Sequence, residues 1–253
     1  MLKSSRQDQI RQLVNANGHV TVQELNQILD VSEATIRRDL DELSREGQLL
    51  RTHGGALKVA EAGREPPIMF RQGEFAAEKQ RIGRVAADMV NEGQTIFLGS
   101  GTTVHEIARN LRCLSDLTVI TNAINVVNEL VDCDGIELVV IGGMLRQSEL
   151  SMVGHIAEAA LKELRADKVF MGMRGIHPQY EFTGDFLPEA TTDRAILGIA
   201  PNNIIVADHS KLGQVSTVYL APITAAHILI TGREAPPNIT VALEEKGLKV
   251  NLV

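Results

Sequence analysis

The stretch Gly99-Ser100-Gly101-Thr102-Thr103, continuing as VHEIARN, sets glycines and hydroxyls directly ahead of a helical pattern. Backbone N–H groups left over at a helix start, with hydroxyls beside them, make a natural seat for a phosphate. The loop has neither a Gly-Lys-Ser/Thr ending nor GxGxxG, so it fits neither a nucleoside triphosphate nor a dinucleotide. Thr103 and Glu106 are spaced as a capping box, and alone that purely structural role would suffice. Lys211, in ADHSKLG, supplies the positive charge that tips the reading to anion binding. Arg174, after KVFMGM, is a second candidate anion contact.

A second set of residues lies in VSEATIRRDLDELSREG. Ser32 can cap this helix, Gly47 can end it, and Ile36, Leu40 and Leu43 form one apolar stripe. At 100° per residue Arg38 and Arg45 project almost opposite that stripe, with Thr35 and Arg37 flanking it. Ahead of it TVQELNQILD carries a capping box from Thr21 to Glu24, with Val22, Leu25, Ile28 and Leu29 facing inward. Before that RQDQIRQLVNANG has a stripe of Ile10, Leu13 and Val14 and ends at Gly18. Three short helices followed by QLLRTHGGALKV, a hairpin turning at His53-Gly54-Gly55, give a winged helix-turn-helix over residues 1–58. Its second motif helix meets base edges with its first residues, and arginine can grip guanine or phosphate there. Ser32, Thr35, Arg37, Arg38, Arg51 and His53 are the candidate DNA contacts, with Lys58 beside them on the wing. Asp39, Asp41 and Glu42 line the same helix and can hold an arginine instead.

The charge balance has to be set against this. Net charge is −7. Residues 1–60 hold eight basic and eight acidic side chains, so the whole excess lies further on. A neutral head binds DNA through a local cluster or not at all. Aromatics at 3% with no Trp exclude stacking platforms for single strands. No long apolar run suggests a membrane span, and no apolar core suggests a secretory signal. Cys113 and Cys133 have no metal-ligand or disulfide spacing, which fits a reduced, cytoplasmic chain with no metal site. No cofactor motif is found.

These residues need elements to position them. KVAEAGREPPIMFRQGEFAAEK, with Pro66-Pro67 and little periodicity, reads as a linker over 59–77. From Glu78 helical stretches alternate with the apolar runs TIFLGS, LTVITN, IELVVIGG, KVFMGM, NIIVADHS, AHILITG and LKVNLV. Short continuous apolar runs between helices imply a mainly parallel α/β sheet covered on both faces, over 78–253. GSGTT, Thr121-Asn122, Gly142-Gly143, Met173-Arg174 and DHSK all follow strand ends. That edge forms the ligand crevice of open α/β sheets. Tight turns explain single glycines there, but not Thr, Asn, Asp and Lys gathered at one edge.

SEATIRRDLDELSREGQLLRTHGGA resembles the N-terminal signature of the DeoR family of bacterial regulators of sugar metabolism. EKQRIG, the GTT loop, TNAINVVNEL, IGGMLR, FTGDFLPEA and ADHSKLG are similar, in order, to its effector half. The resemblance implies binding of double-stranded operator DNA through Thr35, Arg37 and Arg38. It also implies a C-terminal domain related to ribose-5-phosphate isomerase that senses a phosphorylated sugar, usually relieving repression. Under it Ser100, Gly101, Thr102 and Thr103 hold phosphate. Thr121, Asn122, Gly142 and Gly143 line the crevice, and Glu189, Asp208 and Lys211 complete it. Many members carry an acidic residue where this chain has Gly99, so a carboxylate contact to a sugar hydroxyl is absent here. Glu189, Asp208, His209 and Lys211 also suit an isomerase moving an enediol proton. A DNA-binding head has no use in such an enzyme, so no catalytic residue is assigned. One small head covers too few bases to specify a site, so a homo-oligomer, dimer or tetramer, is expected.

Overall fold

The computed structural model describes residues 3–46, 48–52, 54–57 and 67–253, in two compact units, Met1–Glu74 and Phe75–Val253. Gly47, His53, Lys58 and residues 59–66 of the expected linker lie outside the described residues.

The first unit opens with α1 (Lys3–Asn17), which stops at Gly18 in the left-handed region, φ 75°. β1 (His19–Thr21) and α2 (Val22–Leu29) follow. The Thr21–Glu24 capping box forms as expected, and Glu24 is held below the usual carboxylate range by the Thr21 N–H and hydroxyl that bond it. A three-residue turn through Asp30, φ 51°, leads to α3 (Glu33–Arg45). β2 (Leu50–Arg51) and β3 (Gly55–Leu57) pair antiparallel, with β3 between β1 and β2. Gly55 is obligatory: a Cβ there would stand 2.0 Å from the Val20 carbonyl oxygen. Ile10, Val14, Leu25, Ile36, Leu40 and Leu43 make the core. Ile28, expected inward, is 58% exposed, because Val22, Leu25 and Leu29 already fill the stripe facing α3. Part of the expected linker is ordered structure. α4 (Ile68–Arg71) belongs to the first unit, where Phe70 stacks edge-on against His19 with ring centroids 4.8 Å apart.

The second unit starts on α5 (Ala76–Ala87). Then come β4 (Thr95–Leu98), α6 (Thr102–Leu111), β5 (Leu117–Thr121), α7 (Ile124–Leu130), β6 (Ile136–Val140) and the hairpin β7 (Met144–Arg146) and β8 (Ser151–Val153). α8 (His155–Lys162), β9 (Lys168–Met171), β10 (Gly175–His177), β11 (Glu181–Gly184), α9 (Leu187–Leu197) and β12 (Asn203–Val206) follow. The chain finishes with β13 (Val218–Ala221), β14 (Ile228–Thr231), α10 (Pro237–Glu245) and β15 (Lys249–Leu252). Seven strands form one wholly parallel sheet in the order β15-β14-β12-β9-β4-β5-β6. Its strands are the seven apolar runs. Ile96 and Leu98 of β4 face a core shared with α5, α6 and α7, and Phe97 faces one shared with α8, α9 and α10. β10, β11 and β13 form a separate antiparallel sheet. Among the described residues no helix is long and apolar enough to cross a membrane.

Candidate functional site

On the head, Ser32 caps α3, and its hydroxyl lies 3.0 Å from that of Thr35. The carboxylates of α3 are used selectively. Asp39, 2% exposed, takes two hydrogen bonds from Arg6 of α1, at 2.5 and 3.1 Å. Arg37 is exposed and pairs with Glu33 at 3.2 Å. Arg38 is exposed and has no hydrogen bond or ion pair among the described residues. Thr35, Arg38 and Arg45 line one groove with Lys3 and Arg6 and with the carboxylates of Asp39, Asp41 and Glu42, so the groove is of mixed charge. Arg51 bonds Asp41 through Nε at 3.0 Å and the Thr52 and Gly55 carbonyls through Nη1, which braces the wing. The exposed front of α3 thus presents Ser32, Thr35, Arg37 and Arg38.

In the second unit the sheet order reverses at β4. The chain runs outward through β5 and β6, then returns to the other side of β4 with β9. Ligands of open α/β sheets bind outside the carboxyl ends of the strands at such a reversal. Here the flanking loops are Gly99-Ser100-Gly101 and Gly172-Met173-Arg174. Gly99 N–H donates to the Phe170 carbonyl at 3.0 Å, and a Cβ on Gly172 would lie 3.5 Å from the Ser100 oxygen. With strands about 4.8 Å apart, the Asp208–Lys211 turn after β12 stands roughly 10 Å from the Gly99 loop.

Gly101, φ 118°, is the N-cap of α6, and no side chain caps the helix. The expected Thr103–Glu106 capping box does not form, because the helix begins two residues earlier, with Gly101 and not Thr103 as its N-cap, and Glu106 bonds Arg109. Without a side-chain cap, the first turn keeps its N–H groups for a ligand. Ser100 and Gly101 are half-buried, while Thr102 and Thr103 are buried. Among the described residues no hydrogen bond uses the Ser100, Thr102 or Thr103 hydroxyl. Arg174 reaches Asp185, its Nε 3.9 Å from a carboxylate oxygen.

Several expected crevice residues prove to be braces. The Thr121 hydroxyl donates to the Leu98 carbonyl at 2.7 Å and accepts from Ala123 N–H at 3.1 Å, which ties β5 to β4. Gly143 lets β8 approach, since a Cβ would meet the Val153 oxygen at 2.9 Å, while Gly142 is exposed. Asp208 caps the turn His209–Lys211, accepting from the Ser210 N–H at 3.1 Å and its hydroxyl at 2.5 Å. Lys211 is half-buried on that turn. Glu189 accepts from the Ser151 hydroxyl at 3.0 Å and from Arg146, whose other nitrogen bonds Asp185 at 2.9 Å. Burial pushes Glu189 up, against the pull of Arg146. Asp193 is pushed well up by burial, with the like charge of Glu189 adding.

EKQRIG, IGGMLR and FTGDFLPEA hold four charged residues, Glu78, Lys79, Arg146 and Asp185, that sequence alone does not single out. Glu78, buried, accepts from the His209 N–H at 2.8 Å, its ring nitrogen at 2.7 Å and Gly232 N–H at 3.2 Å. Buried Lys79 lies 3.9 Å from Asp208. Together Glu78 and Lys79 lock the Asp208 turn to α5. Two charges opening an apolar helix were the signal available.

Residues 6–61 match the DeoR-like helix-turn-helix domain and residues 74–233 the DeoR C terminal sensor domain. The chain belongs to the DeoR family. DeoR-family relatives share its full extent. The HTH-type transcriptional regulator YulB of Bacillus subtilis is 33% identical, covering 100% of this chain and 98% of that protein. The glycerol-3-phosphate regulon repressor of Escherichia coli is 32% identical over 95% and 94%. The DeoR sensor also has a distant likeness to ribose 5-phosphate isomerase from Plasmodium falciparum, TM-score 0.39 at 19% identity over 53% of this chain and 51% of that one.

Proposed function

We propose that this DeoR-family chain is a cytoplasmic repressor of genes for carbohydrate use. Its heads, in a dimer or tetramer, read a repeated operator through Ser32, Thr35, Arg37 and Arg38. Its sensor takes a phosphorylated sugar or sugar-like metabolite, which changes operator affinity without turnover. One observation carries the effector reading: the uncapped start of α6 at Gly101 stands at the reversal of strand order, beside Gly172–Arg174. A phosphoryl group set there meets N–H groups and the positive end of a helix. Four carboxylates, Glu149, Asp185, Glu189 and Asp193, gather around Arg146 further along the crevice and disfavour a second anion there. They suit the hydroxyl end of a sugar. Relatives support the same class, among them proteins named the glycerol-3-phosphate regulon repressor and the putative aga operon transcriptional repressor. The test is selection of an operator from genomic fragments with the full chain, followed by titration with pentose, hexose and polyol phosphates. Release or tightening by one of them, with no conversion of it, supports the reading; failure to enrich any fragment contradicts it.

A further inference from the structure

Two asparagines just past β5 hold acceptors that no group among the described residues satisfies. Asn122 is 2% exposed and Asn125 is 8% exposed, and the Oδ1 of each is buried with no hydrogen-bond partner among those residues. Buried polar atoms are nearly always bonded, so two orphans three residues apart call for an explanation. For Asn122 the amide orientation is settled: its Nδ2 donates to the Met152 carbonyl at 3.0 Å, and its backbone carbonyl accepts from Met152 N–H at 2.7 Å. Its Oδ1 is therefore an acceptor awaiting a donor.

Position connects both to the anion seat. Leu98 pairs with Thr121 in the β4–β5 register, so Gly99 and Asn122 follow side by side at the sheet edge. Asn125 lies in the first turn of α7. His105 of α6 and Glu129 of α7 join the two helices at 3.1 Å, and Arg112 and Asp132 join them again further along, at 3.1 Å. Both helices start from the same sheet edge and run the same way. One turn back from Glu129 is Asn125, and one turn back from His105 is Gly101. Asn125 thus stands level with the Gly101–Thr102 turn.

We propose that Asn122 and Asn125 form a hydroxyl-reading subsite beside the anion seat, and that the ligand is a polyhydroxylated phosphate ester whose hydroxyls donate to these two carbonyl oxygens. The proposal rests on the phosphorylated-sugar reading above and adds the groups that discriminate within that class. It also accounts for Gly99, since amide oxygens here take the hydroxyl contact that a carboxylate at that position would make. An unprotonated phosphate oxygen, an acceptor itself, does not satisfy the Oδ1 of Asn122, whose amide orientation is fixed.

The test compares the full-length wild type with Asn125→Ala, using thermal shift and calorimetric titration against inorganic phosphate, ethyl phosphate and a panel of pentose and hexose phosphates. Asn125 makes no side-chain hydrogen bond among the described residues, and alanine favours helices. The free variant should therefore melt at or above the wild-type temperature. Wild type should bind a sugar phosphate more tightly than ethyl phosphate. Asn125→Ala should lose on the order of tenfold toward the sugar phosphate while its ethyl phosphate affinity stays the same. A wild type that prefers sugar phosphate and a variant that keeps that preference overturn the subsite alone. A variant that melts lower when free also overturns it, since the amide is then structural. A wild type that responds to no phosphate ester overturns the subsite together with the phosphorylated-sugar reading.

Discussion

Arg6 and Asp39 form a two-pronged ion pair between α1 and α3. The carboxylates one turn on from Arg38 are engaged as well, Asp41 by Arg51 and Glu42 by Lys3 and Gln7, so among the described residues none pairs with Arg38.

Arg38→Ala should abolish specific operator binding while leaving the fold within about 0.5 kcal/mol, since the side chain is exposed. If Arg38 grips a phosphate, the slope of log affinity against log salt should also fall by roughly 0.9. Fluorescence anisotropy across a salt series reads both, and wild-type affinity in the variant would refute the assignment.

Asp39→Ala removes one partner of the Arg6 pair and leaves a guanidinium that is largely withdrawn from water. Breaking such a pair costs about 3 kcal/mol. Denaturant unfolding of the head should show that loss, with operator binding weakened only as far as the head unfolds. A shift below about 0.5 kcal/mol would mean that the pair is no brace.

Asp193 and Glu189 bind their protons more tightly in the folded chain than at their ordinary values, for the burial and like-charge reasons given above. Their contribution to stability is complete below those ordinary values, 3.8 and 4.5, and is lost as pH rises through the folded ones. Glu24, Glu42, Asp132 and Glu234, all lowered, act in the opposite direction but below the usual carboxylate range. Above that range the denaturation midpoint should therefore fall with rising pH, and Asp193→Asn should flatten the fall. An unchanged slope in the variant would contradict it.

Phe97 is fully buried at the centre of the sheet, and Phe97→Ala should cost about 3–5 kcal/mol in the sensor. The loss should show in calorimetry as a lower sensor transition, with the head's transition unmoved.

Much of this was legible from residue order. The seven apolar runs were all seven strands of the parallel sheet, because strands buried on both faces need unbroken apolar sequence. GSGTT stood out because glycines and hydroxyls precede a helix at a strand end, with Lys211 elsewhere in the chain to supply charge. What escaped had weaker local signals. β1 is three residues whose pairing with β3 is set by tertiary contact, and β10 and β11 lack a long apolar run. Thr121 has the same composition as a ligand contact, and only the Leu98 carbonyl 2.7 Å away shows it to be a brace. Nor does residue order show that Arg51 pairs with Asp41, ten positions away. Asn125 resembles any polar residue on a helix, and its significance comes from an oxygen that no neighbour reaches.

On the proposed function, an anion at the Gly101–Thr102 turn governs operator affinity. Anisotropy of the full chain on its selected operator, titrated with the phosphorylated sugar that shifts its melting most, tests it directly when run beside Thr102→Val. Operator affinity should change by roughly 5- to 150-fold in the wild type, while the variant binds operator equally well and no longer responds. A variant that responds like the wild type, or a wild type whose affinity ignores a sugar phosphate that it binds, would contradict the claim.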